Sequence, residues 1–125
     1  MGMISDFREF SVGPDLFGRT YRVEFVWLQT AISIRHSDSI DVKFFLDDGS
    51  SREEKVIAIM YPHLLELSKK TGHEIYDGWV MKLAAVHLKW MIETGEDAEK
   101  TLVTMSPSDL ERAQAELEAS VQIAP

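Results

Sequence analysis

The stretch from Glu74 to Glu93 constrains the fold more than any other part of the chain. Placed at 100° per residue, Ile75, Tyr76, Trp79, Val80, Leu83, Ala84, Val86, Trp90 and Met91 cover about half of a helical circumference. Met81, Ala85, Leu88 and Ile92 widen that apolar arc further, and the clear polar stripe is narrow: Lys82, Lys89 and Glu93, with Gly78 beside them. A helix this apolar must be covered on most sides, so the rest of the chain has to supply the cover.

The first half reads as β-structure. Thr20 to Leu28 alternates, with Val23, Phe25 and Trp27 on one face and Arg22 and Glu24 on the other. Ala31 to Arg35 continues in the same style, and no turn former separates the two, which implies a bulge or a hidden turn between Leu28 and Ala31. Ile40 to Leu46 alternates again, and Asp47-Asp48-Gly49-Ser50 is a hairpin signal, because Asp-Gly tolerates the positive φ of a tight turn. Lys55 to Met60 is β-branched and hydrophobic. Ser51 and Glu54 imitate a helix capping box there, but Pro62 would break a helix running through, so a returning strand is expected. Residues 1–18 form an edge segment in which Phe7, Phe10 and Val12 alternate loosely before the turn at Gly13-Pro14-Asp15.

The second half reads as helical. Pro62 suits a first helical turn, Lys69 and Lys70 suit a C-terminal one, and Gly72 is a stop. Thr101 to Met105 is extended or irregular. Ser106, Pro107 and Asp109 open a last helix over 106–121, whose apolar stripe, Leu110, Ala113 and Leu117, is thin enough to place it at the periphery or against a partner. The expected fold is a single α+β domain over 1–125: an antiparallel sheet of about three to five strands, spanning roughly 20–60, packed against two to three C-terminal helices, with helix 74–93 on one face.

Composition narrows the function classes. With no cysteine, disulfides, thiolate catalysis and cysteine-held metal centres are excluded. The net charge of −8 disfavours nucleic acid as a partner. No run approaches the roughly 20 apolar residues of a membrane span, and Met1 to Phe10 lacks the apolar core of a secretory signal, so cytoplasmic placement without a membrane partner is expected. No nucleotide-binding, zinc-protease, nucleophile-elbow or calcium-loop motif is present, and nothing implies a cofactor.

Two functional readings follow. The first is a small self-associating interaction or scaffold module. It rests on the apolar excess of helix 74–93, which a homodimer could cover, with Trp79, Met81, Leu88, Leu110 and Leu117 as the interface residues. The second is a small-molecule or metal-binding site, open to enzymatic use, on the polar turn after the second strand. There His36, Asp38 and Asp41 bring an imidazole and carboxylates together near Trp27. No complete metal-ligand set is legible: His63 and Glu66 are only a pair, and His73 and Asp77 fit helix-start chemistry. His87 falls inside the apolar arc and is expected to be a buried, hydrogen-bonded structural histidine.

Overall fold

The computed structural model describes residue 4 and residues 6–31 and 38–123, the side chains of 31 and 120–123 excepted. The alternating segments form five strands, β1 (Glu9–Val12), β2 (Tyr21–Ala31), β3 (Ser39–Asp47), β4 (Arg52–Met60) and β5 (Leu102–Met105), in the spatial order β1-β2-β3-β4-β5. The first four pair antiparallel, and β5 joins β4 in parallel. A parallel neighbour needs a long crossover. Here it consists of α1 (Tyr61–Thr71) and α2 (Asp77–Thr94), and α3 (Pro107–Ile123) follows β5. The fold is the expected α+β arrangement, with β1 and β5 lying outside the 20–60 span.

Local chemistry explains the boundaries. In the β3–β4 turn, Gly49 has φ 96°, and the Asp48 carboxylate accepts from the Ser50 and Ser51 amides. Those amides and the Ser50 hydroxyl hold the Asp48 carboxyl down at about 2. β4 ends where Pro62 opens α1, and the αL residues Gly72 and Gly95 close α1 and α2. Ser106 and Asp109 exchange the two bonds of a capping box at the start of α3.

β2 is one continuous strand with a bulge. Phe25 pairs with Phe44, but Trp27 pairs with Lys43, so Val26 is the extra residue. The bulge comes earlier than the Leu28–Ala31 stretch and reverses the facing beyond it. Trp27, expected beside Val23 and Phe25, lies instead on the outer face under Lys43 Nζ, 5.8 Å from its ring centroid.

The helices cover one face of the sheet. Val23, Val42, Phe44, Ile57 and Ile59 present that face to α2, whose Leu83, Ala84, Leu88 and Met91 are fully buried. α3 covers the other side of α2 within the same chain. Trp79 Nε1 donates to Gln114 Oε1 at 2.8 Å in a buried contact, Lys89 pairs with Glu116 at 3.1 Å, and Leu110 and Ala113 are buried between the helices. The final helix therefore does the covering that a partner was expected to do.

Candidate functional site

Both edges of the cavity beside the 13–20 loop are irregular segments held by a few polar bonds. The first is the loop from Gly13 to Thr20. Gly13 has φ 135°, and a Cβ there would lie 2.8 Å from Arg19 O and 2.9 Å from Thr20 Cα, so only glycine lets the loop cross itself so closely. Asp15 then ties the loop together. Its Oδ1 accepts from the amides of Phe17 (2.8 Å) and Arg19 (2.9 Å). Its Oδ2 accepts from Arg19 Nε (3.0 Å) and the Tyr21 hydroxyl (2.8 Å). Desolvation pushes the Asp15 carboxyl up, but these four bonds outweigh it and hold it at about 2. Burial, with the Asp15 charge, pushes the Tyr21 hydroxyl up to about 12.

The loop leaves its two large apolar side chains in water. Leu16 is 69% exposed and Phe17 is 81% exposed. The Arg19 guanidinium carbon stands 5.4 Å from the Phe17 centroid and 5.6 Å from that of Tyr21. A floppy loop with exposed apolar residues is ordinary. Asp15 fixes the backbone of the loop, and that loop carries both apolar side chains into water.

The second edge is the segment from Gly95 to Thr101. Lys55 lies on the inner face of β4, opposite Phe44, and is nearly fully buried. Its ammonium donates to the carbonyls of Ala98 and Lys100 and lies 3.5 Å from Glu53 Oε1. That satisfies a buried charge and clasps the segment to the sheet. A Cβ on Gly95 would come within 2.5 Å of Leu16 Cδ1, so the residue that caps α2 is also the seat of the Leu16 side chain.

Between these edges lies a cavity of about 420 Å³. Leu46, Leu88, Met91 and Ile92 back it, Leu16, Phe17 and Tyr21 flank it, and Asp15, Arg19, Glu53, Lys55 and Glu99 rim it. Leu88 and Met91 expose nothing, so the apolar surface on offer comes chiefly from Leu16 and Phe17.

The polar residues singled out in the sequence do not converge here. His36 lies outside the described residues. Asp38 is exposed, and its backbone carbonyl accepts the Tyr61 amide at 2.9 Å. Asp41 is half-buried on the outer face of the sheet, accepting the Ser39 hydroxyl at 3.0 Å. A shallow pocket of about 160 Å³ includes Asp38 with Thr30, Ser39, Ile40 and Tyr61, but neither Asp41 nor Trp27. Among the described residues, no three or more His, Asp or Glu side chains gather in a way that could hold a metal ion.

The interface residues are also placed differently from the expectation. Trp79, Met81, Leu88 and Leu110 are buried within the chain, and Leu117 is partly buried against the same core. They have little surface to present: Leu88 packs toward the sheet, and Trp79 and Leu110 lie between α2 and α3. The outer sheet face is masked in another way: Arg52 lies 4.0 Å over the Phe45 ring, and Lys43 stands over both Phe45 and Trp27. Lys and Arg stems shield aromatic surface while keeping their charge in water.

His87 is 2% exposed and joins α2 to α3. Its Nδ1 lies 3.1 Å from Arg112 Nη2. A guanidinium only donates, so Nδ1 accepts and the proton sits on Nε2. Nε2 is 4.0 Å from Asp109 Oδ2, too far for a hydrogen bond, and has no partner among the described residues. Burial lowers the imidazole pKa; Asp109 and Asp97 oppose that and Arg112 adds to it. The ring stacks on Trp90 at 5.5 Å, and Arg112 lies 3.7 Å from the Trp90 centroid. This is a packed contact between helices in which His87 is buried and Arg112 reaches the surface.

Sequence reasoning passed over Leu16, Phe17 and Lys55. The signals were there: two large apolar residues inside a Gly-Pro-Asp…Gly turn, and a lysine at an inward position of β4. No protein-family model, no curated protein and no solved structure matches the chain. No helix among the described residues is long and apolar enough to cross a membrane.

Proposed function

We propose that this chain is a protein-interaction module whose docking site is the 13–20 loop together with the cavity beside it. The observation that carries the reading is the exposure of Leu16 and Phe17 on a loop fastened by four bonds to one carboxylate. Holding apolar side chains rigidly in water forgoes their burial. It favours association, because a preordered aromatic loses little entropy on docking. The polar groups at the rim are largely spent on the fold, with Asp15 satisfied by four donors and Lys55 by two carbonyls and Glu53. That suits a contact surface better than a reaction centre. The acidic charge and the absence of cysteine suit work in the cytoplasm away from nucleic acid.

A second reading, binding of a small apolar molecule, is favoured by the cavity itself, whose volume of about 420 Å³ falls in the range of ligand pockets. Its back wall is nearly closed, however, and a flat side chain laid against Leu16 and Phe17 uses the available surface better than a free ligand would.

Selection of a phage-displayed random peptide library on sparsely immobilised protein tests the proposal. Enriched peptides should bind the wild-type chain, lose binding to Phe17→Asp, and retain it to Leu102→Asp, a change at an exposed position on the outer sheet face. Peptides indifferent to Phe17→Asp, or no enrichment at all, would contradict it.

A further inference from the structure

Resting on the docking reading above, we infer that the occupant of this site is a second copy of the same chain, related by a two-fold axis through the cavity. A two-fold contact needs a surface complementary to itself, with a projection and a recess on the same face. This face has both: Phe17, the most exposed large apolar side chain among the described residues, projects from one edge, and the recess of about 420 Å³ lies immediately beside it. An axis through the recess carries the 13–20 edge of one copy onto the 95–100 edge of the other, so each Phe17 crosses to its partner's side.

The charges on the two edges match under the same rotation. Arg19 is 53% exposed and commits Nε to Asp15, while its terminal nitrogens make no hydrogen bond among the described residues. On the opposite edge Lys100 pairs with Asp97, and Glu99 has no ion pair among the described residues. The rotation sets each Arg19 against the Glu99 of the other copy, giving two equivalent pairs around an apolar centre. Leu102, Tyr76 and Tyr61 are also exposed, at 59%, 55% and 41%, but none of them lines a recess of this kind; α2 is covered by the sheet and α3, and the outer-face aromatics lie under Lys43 and Arg52.

Sedimentation equilibrium of the full chain from low to hundreds of micromolar tests the inference, run near 0.15 M salt so that the net charge of −8 is screened beyond about 8 Å. The wild type should approach about 28 kDa, twice the 14.2 kDa chain mass. Phe17→Asp should weaken association at least about 30-fold, as loss of a central aromatic anchor does, and Glu99→Lys should weaken it less, with melting temperatures unchanged in both when measured at concentrations dilute enough for every variant to be monomeric. A mass near 14.2 kDa across the range overturns the second copy. Peptides still selected through Phe17 would then leave the docking reading standing, and their absence would remove it too. A Phe17→Asp variant that dimerises like wild type also overturns the inference, because the dimer would then use another face.

Discussion

In the α2–α3 layer, Asp109 caps α3 and pairs with Arg112 at 2.9 Å, and Arg112 in turn covers Trp90 and meets His87. In the 13–20 loop, Asp15 gathers two amides, a guanidinium and a hydroxyl, and Arg19 stands beside Phe17. Both regions use an aspartate and an arginine around aromatic rings. In the first His87 is buried and Trp90 half-buried between helices; in the second the Phe17 ring is left in water. The same chemistry stabilises a core contact in one place and presents a contact surface in the other, and burial decides which.

The largest effect is expected in the core. Leu83 has no exposed surface and lies in α2 away from the cavity. Leu83→Ala should cost about 2–5 kcal/mol in urea unfolding, from lost transfer free energy and the void left behind. A cost below about 1 kcal/mol would mean that the helical layer is loosely packed and that the contrast is unfounded.

His87 sharpens the comparison through pH. Its folded-state pKa lies below the ordinary 6.5, so the unfolded chain takes up the proton first. The contribution of the neutral, buried ring is fully present above pH 6.5 and is lost as pH falls from there toward the folded value. Wild-type stability should therefore decline between pH 6.5 and 5, before most carboxylates titrate. His87→Gln should cost about 1–3 kcal/mol at neutral pH and flatten that decline. An unchanged decline in the variant would assign the pH response to other groups.

Gly95 belongs to both regions, as the αL cap of α2 and the seat of Leu16. Gly95→Ala should cost about 1–2 kcal/mol from the left-handed backbone alone and should also displace Leu16, visible as shifted methyl resonances. A cost without movement of Leu16 would separate the two roles. The smallest effect is expected at Phe17, where Phe17→Asp should change unfolding free energy by no more than about 0.5 kcal/mol. A larger loss would mean that the exposed ring supports the fold.

The parts of the fold that were legible in the sequence are those set by local pattern. The apolar arc of α2, the alternation of β3, the Asp-Gly turn and the Ser106–Asp109 box each carry their signal within a few residues. The parts that were not legible depend on contacts made elsewhere. β5 has only four residues, too few for a period, and becomes a strand because β4 offers it an edge. One extra residue at Val26 reverses Trp27, which no periodicity reports. The thin stripe of α3 reads the same whether it packs on its own chain or on another. The candidate site was less legible still, because Leu16, Phe17 and Lys55 acquire their meaning from a loop crossing and a strand facing. The His36, Asp38 and Asp41 cluster, by contrast, drew attention by residue type alone.

The proposed docking site requires the 13–20 loop to hold Phe17 in place. Residue-resolved amide hydrogen exchange tests that directly. The Phe17 and Arg19 amides both donate to Asp15 Oδ1. They should exchange far more slowly than unstructured peptide despite lying at the surface, and Asp15→Ala should abolish the protection. Exchange of both amides at unstructured rates in the wild-type chain would show the loop to be unfixed and would contradict the account.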